Sequence, residues 1–199
     1  MANWISFLRV VLCLVVPALL YMPQQRMYLL AFGLTVLVIW MDGLDGYVAR
    51  KFNEVSKVGA VIDILGDRVV EQVYWVTFLA LGWLPLWIPL VVIVRGIVVD
   101  GLRGLALEQG YTAFGSSSMM QHPIGILLVS SRFSRWSYAV LKALAFCLLI
   151  LSQTPDMPVT WLPWLTSTAI FCVYSSVGFC VIRGLPVLLE SKRFLQPKQ

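Results

Sequence analysis

Five of the chain's ten acidic residues fall inside one short segment, MDGLDGYVARKFNEVSKVGAVIDILGDR, and four of them are the aspartates Asp42, Asp45, Asp63 and Asp67. Asp42 and Asp45 are three apart, Asp63 and Asp67 four apart, and on a helix both spacings put side chains on one face. A short link from about Lys51 to Lys57 makes the two helices antiparallel neighbours, so the two acidic pairs reach the same depth and can point at one another. Carboxylate oxygens with no histidine or cysteine beside them suit Mg²⁺ or Mn²⁺. Such ions can polarise a phosphoryl group while a neighbouring carboxylate takes a proton from an attacking hydroxyl. The other reading is a structural network in which Arg50 and Arg68 neutralise the acids. Two arginines leave no open place for chemistry, and Arg68 is aimed away from Asp67 around the helix.

The surroundings make these charges costly. Hydrophobic residues are 59% of the chain and charged residues 13%, half of the ~25% usual in soluble domains. Mean hydropathy is +0.83. An unpaired acid at the bilayer centre costs about 2.5 kcal/mol or more. The expected architecture is all-α: a polytopic membrane protein with six transmembrane helices in one bundle, a single domain over 1–199. Spans are expected at roughly 5–22, 28–50, 58–82, 86–107, 136–153 and 161–183, each near the ~20 residues needed to cross. YMPQQRM, GWLPLW and SQTPDMPVTW are the turns on one side. On the other lie ARKFNEVSK, the stretch from Glu108 to Arg135 and the tail from Arg183. The first apolar run reads as a retained helix, because no basic segment precedes it and more spans follow.

Arg50, Lys51, Lys57, Arg103, Arg132, Arg135, Arg183, Lys192, Arg193 and Lys198 collect at one set of helix ends, with Arg26 opposite. The positive-inside rule then puts both termini and the acidic segment on the cytoplasmic side, and the expected location is a bacterial inner membrane. Trp83, Trp87, Trp161 and Trp164 form the opposite aromatic belt. A net charge of +5 is what this topology requires and favours anionic headgroups, not nucleic acid. Cys13, Cys147, Cys172 and Cys180 lie in apolar runs and read as buried thiols. An ion-coupled transporter would spread polar groups through the midplane, and duplicated halves are not evident. Intramembrane prenyltransferases carry their two acidic motifs on distant helices.

Asp42-x-x-Asp45-Gly46-x-x-Ala49-Arg50, then eight residues, then Gly59-x-x-x-Asp63-x-x-x-Asp67 resembles the signature of the CDP-alcohol phosphatidyltransferases. Asn3, Ser6 and Arg9 in NWISFLR look like that family's N-terminal Asn-x-x-Thr/Ser-x-x-Arg, and Ser56 stands where relatives often carry Ser or Thr. The resemblance implies transfer of the phosphatidyl group of CDP-diacylglycerol to an alcohol, with release of CMP. It implies two Mg²⁺ or Mn²⁺ ions, one held by Asp42, Asp45 and Asp63 and the second by Asp42, Asp63 and Asp67. Asp67 would also be the general base. Gly46, Arg50 and Ser56 would contact the CDP-diacylglycerol headgroup, with Asn3 and Ser6 beside them. A homodimer is common in the family.

For the acceptor, Arg95, Arg103, Arg132, Arg135 and Lys142 are the candidate contacts. Arg95 and Lys142 stand within apolar runs, where a charge needs a partner or a function. A set of cations favours an acceptor bearing its own phosphate, glycerol 3-phosphate first. VRGIVVDGLRGLA is similar to members of the family that use it. Inositol phosphate, inositol and serine are the alternatives. The 108–135 stretch, long enough to serve as a lid, contains the lone His122, read as solvated.

Overall fold

In the computed structural model, the described residues are 2–51, 57–108 and 125–191, with side chains at all of these except 2, 3, 45–51, 57, 58, 60, 107, 130 and 132. They are all-helical. The long helices are α1 (Ala2–Leu20), α2 (Gln25–Lys51), α3 (Lys57–Ala80), α4 (Trp87–Glu108), α5 (Arg132–Ser152) and α6 (Leu162–Glu190). A π-helical turn, Ile126–Ser130, precedes α5.

The chain makes two compact units, Met1–Pro89 with Ala143–Phe171, and Leu90–Lys142 with Cys172–Gln199. In the first, α1 lies against both α2 and α3. Its buried stripe is Ser6, Arg9, Cys13, Val16 and Leu20, each at most 5% exposed. That spacing of three and four residues is one helix face. An aromatic cluster holds the far part of α3: Tyr74 stacks on Phe146 at 4.7 Å, Trp75 meets Phe146 edge-on, and Phe78 stacks on Trp83. Buried hydroxyls are satisfied in series, with Tyr74 donating to Thr35 Oγ1 at 3.0 Å and Thr35 donating to the Ala31 carbonyl at 2.7 Å. Gly82, with φ +74°, ends α3. Its N–H bonds the Leu79 carbonyl and that of Trp83 bonds Phe78, a paired cap that only a left-handed residue allows without strain. The second unit centres on Val99, Ala106, Val129 and Val187.

Large apolar side chains cover the outside, among them Trp4, Ile97, Phe133 and Leu189, the last 71% exposed. A surface of this kind is stable against lipid and not against water. Three described stretches are long and apolar enough to cross a membrane: Gln25–Leu44, Phe133–Ser152 and Leu162–Glu190. Trp4–Leu20 is a shorter apolar helix. Helices α3 and α4 have 24 and 22 residues, about 36 and 33 Å at 1.5 Å per residue, enough to span. Asp63, Asp67, Arg68 and Glu71 interrupt the apolar character of α3, as Arg95, Asp100 and Arg103 do in α4.

One sequence expectation is corrected. The stretch 108–135 is not a continuous loop: residues 125–130 are helical, and α5 starts at Arg132, ahead of the expected 136. Ser131 decides the boundary. Its backbone is extended, its N–H closes the π-helical turn on Ile126, and its hydroxyl accepts from the Ser134 N–H at 3.1 Å. That is a serine N-cap, which satisfies a donor the first turn would leave bare. Residues 109–124, His122 included, lie outside the described residues.

Candidate active site

The neighbouring helices α2 and α3 bring three of the four aspartates together. Asp42, Asp63 and Asp67 each offer a carboxylate oxygen, and these oxygens all lie within 4.8 Å of one another. Their side chains are about half exposed, at 51%, 49% and 49%, so the group is open to a ligand. The fourth, Asp45, lies on the α2 backbone one turn after Asp42. Its side chain is outside the described residues, as are those of Asn3, Arg50 and Arg132, the surroundings of Gly46 and the whole of Ser56.

Three carboxylates so close repel strongly unless a cation sits among them. In the structure that cation is Arg9. It reaches across from α1, pairing through Nη1 with Asp42 Oδ1 and through Nη2 with Asp67 Oδ1 at 2.9 Å, with Asp63 Oδ1 at 3.7 Å from the same Nη2. The Arg9 side chain is 1% exposed. Its fork of donors suits two carboxylates at once. Glycine makes the approach feasible: a Cβ at Gly66 would stand 3.0 Å from Arg9 Nη2. Ser6, one turn earlier on the same face of α1, is also buried.

The donor set, oxygen alone in an open site, fits a hard divalent ion. The guanidinium shows that the group already draws positive charge. Arg68 turns away as expected, donating to the buried Glu71 at 3.0 Å.

From the sequence, Arg9 stood out only as the last residue of the NWISFLR motif, with no part in the acidic centre, and Gly66 was not singled out. A signal for Arg9 was available. Ser6, Arg9, Cys13, Val16 and Leu20 repeat at three and four residues, so Arg9 lies on the stripe that must face other helices. An arginine there needs acids. For Gly66, residue type alone gave no hint, because its role lies in what crosses it.

The second unit, taken by itself, gathers cations. Arg95, Arg103, Arg135 and Lys142 all belong to it. It also holds Arg183 on α6, counted from the sequence only as a charge at a helix end. Arg183 is 7% exposed and feels the positive charges of Arg95, Arg103 and Arg135. Its Nη1 donates to the Ser134 carbonyl at 3.2 Å. The Tyr138 ring is shared, with the Arg183 guanidinium 5.4 Å and Lys142 Nζ 5.5 Å from its centroid, distances at which a cation is attracted to the ring. Arg95 packs on Gly184, where a Cβ would stand 3.0 Å from its Cγ. The Nε atoms of Arg95 and Arg183 are buried with no hydrogen-bond partner among the described residues.

Together these features define a helical integral membrane protein with an open acidic centre that could hold a hard cation. The model of the CDP-alcohol phosphatidyltransferases matches residues 1–182, and the chain belongs to that family. It is similar to a CDP-diacylglycerol–glycerol-3-phosphate 3-phosphatidyltransferase of Pseudomonas fluorescens, 35% identical over 115 residues, 57% of this chain and 59% of the relative. A cardiolipin synthase (CMP-forming) of Streptomyces coelicolor is 33% identical over 86 residues, 40% of this chain and 39% of the relative. A putative cardiolipin synthase of Mycobacterium bovis is 27% identical over 148 residues, 70% of this chain and 69% of the relative. The chain thus spans little more than half the length of the Pseudomonas relative it matches.

Proposed function

We propose that this protein transfers the phosphatidyl group of CDP-diacylglycerol to glycerol 3-phosphate and releases CMP. The observation that carries the reading is the convergence of Asp42, Asp63 and Asp67 oxygens within 4.8 Å in an open site. Asp42, Asp45 and Asp63 would hold one Mg²⁺ or Mn²⁺, and Asp42, Asp63 and Asp67 a second. Bound there, such ions supply Lewis-acid polarisation of the phosphoryl group and neutralise charge on the departing CMP. Asp67 takes the proton from the acceptor hydroxyl. The hydroxyl oxygen bonds to the phosphorus that carries the diacylglycerol, and the bond from that phosphorus to CMP breaks. Gly46 allows close approach of the nucleotide end, and Arg50, Ser56, Asn3 and Ser6 contact the donor headgroup.

The acceptor's phosphate is assigned to the cations of the second unit, Arg95, Arg103, Arg135 and Lys142, with Arg132 and with Arg183 added from its burial. Buried guanidinium N–H groups without partners favour an anionic ligand that can accept from them. The chain works as one catalytic membrane domain over 1–199, with six spans, termini and site on the cytoplasmic side of a bacterial inner membrane, as a homodimer. Donor acyl chains then stay in lipid while the nucleotide end meets cytoplasmic water.

A second reading keeps the donor and changes the acceptor to a glycerol carried by a second phospholipid. It is favoured by the putative cardiolipin synthase, whose similarity extends over 70% of this chain. Purified protein incubated with labelled CDP-diacylglycerol and a panel of acceptors distinguishes them. Glycerol 3-phosphate should give labelled phosphatidylglycerophosphate and CMP. Product formed only with phosphatidylglycerol supports the second reading, and no CMP with any alcohol removes both.

A further inference from the structure

We propose that Arg9 is a tethered counter-ion of the acidic centre, one that a divalent ion must displace, so that α1 sets how tightly the site holds metal. This rests on the metal reading of the centre given above. Arg9 Nη2 lies 2.9 Å from Asp67 Oδ1 and 3.7 Å from Asp63 Oδ1, while Nη1 pairs with Asp42. The same three residues supply the oxygens that converge for an ion. A guanidinium and a divalent cation cannot both occupy that space, because their like charges repel and the oxygens are shared.

Two features mark the placement as built into the fold. The Arg9 side chain is 1% exposed, so the helix face that carries it is committed to the interior. And α3 leaves the side chain a seat: with Gly66 beside Asp67, Arg9 Nη2 lies where only a hydrogen stands. A Cβ at 66 would stand 3.0 Å from Arg9 Nη2 and make its tip give by a few tenths of an ångström, and a branched side chain there would take the space the guanidinium fills. Charge counting gives the consequence. Asp42, Asp63 and Asp67 sum to three negative charges and Arg9 offsets one, so the centre stays folded and partly neutral without metal. Metal binding then has to overcome an existing ion pair as well as desolvate the ion.

The test is Mn²⁺ titration of the purified full-length protein, read by electron paramagnetic resonance of the free ion, with thermal unfolding in chelator and in saturating Mn²⁺. Arg9→Gln should bind Mn²⁺ about tenfold more tightly or better, since a competing charge beside the ligands is gone. Its unfolding temperature should fall in chelator, and the rise produced by Mn²⁺ should exceed that of the unaltered protein. Arg9→Lys, which keeps the charge, should stay within a few-fold of the unaltered affinity. Equal or weaker Mn²⁺ binding by folded Arg9→Gln overturns the proposal. Should Arg9→Gln not fold, Gly66→Val decides: its branched side chain fills the seat of the Arg9 tip, Mn²⁺ should bind more tightly, and an unchanged Mn²⁺ affinity overturns the proposal too. An unaltered protein that binds no Mn²⁺ removes the metal reading itself, a result distinct from binding that ignores Arg9.

Discussion

The acidic centre of α2 and α3 and the cation cluster of α4, α5 and α6 hold ionised side chains among apolar helices, and they are neutralised in different ways. Around Asp42, Asp63 and Asp67 the structure provides its own counter-charge, Arg9, over a glycine that lets it in. Around Arg183 it provides an aromatic ring, a backbone carbonyl and three more arginines. The first region is only partly neutralised, one guanidinium against three carboxylates. The second keeps two buried guanidinium Nε atoms, of Arg95 and Arg183, without a hydrogen-bond partner among the described residues. The contrast matches what the proposed reaction needs, a site that trades in cations and a site that retains a phosphate.

The largest effect expected is that of metal removal. A chelator should bring CMP release to background, and Mg²⁺ or Mn²⁺ should restore it, because the acidic centre alone repels a pyrophosphate. Retained turnover in chelator would erase the distinction between the two regions. Next, Asp67→Asn should lower kcat about 10³-fold at saturating metal, the range general-base catalysis supplies, in a protein that stays folded in detergent. Full activity would take the base role from Asp67. Third, Arg183→Gln should raise KM for the phosphorylated acceptor about tenfold, as loss of a charged hydrogen bond does, with KM for CDP-diacylglycerol unchanged. A rise in the donor's KM instead would assign Arg183 to the nucleotide. The smallest effect is that of Ser131→Ala, which should cost about 1 kcal/mol of stability through the lost cap. Thermal unfolding would show it, with acceptor and donor KM both near their unaltered values.

Much of the acidic centre was legible before any coordinates. Helical spacing put Asp42 with Asp45 and Asp63 with Asp67, and the short link Lys51–Lys57 made α2 and α3 neighbours. Together these nearly determine that the carboxylates meet. Helix ends were less legible. Residues 126–130 read as part of a loop, since their apolar run is too short to show a period. The serine that caps α5 is one of several in the neighbourhood, and only the Ser134 N–H bonded to Ser131 singles it out. The cation cluster was half legible: Arg95 and Lys142 are conspicuous in apolar runs, whereas Arg183 stands at a helix end where topology already explains a charge.

The sequence by itself determined the all-helical membrane character, the family and the face on which the aspartates lie, because all three follow from local composition, periodicity and spacing. Only the tertiary structure decided what neutralises them. Arg9 is 33 residues from Asp42 and 58 from Asp67 along the chain, and no periodicity within one helix specifies which residue of another will reach it. That choice depends on how α1 lies across α3 and on the missing side chain at Gly66, a relation between surfaces that exists once the helices have packed.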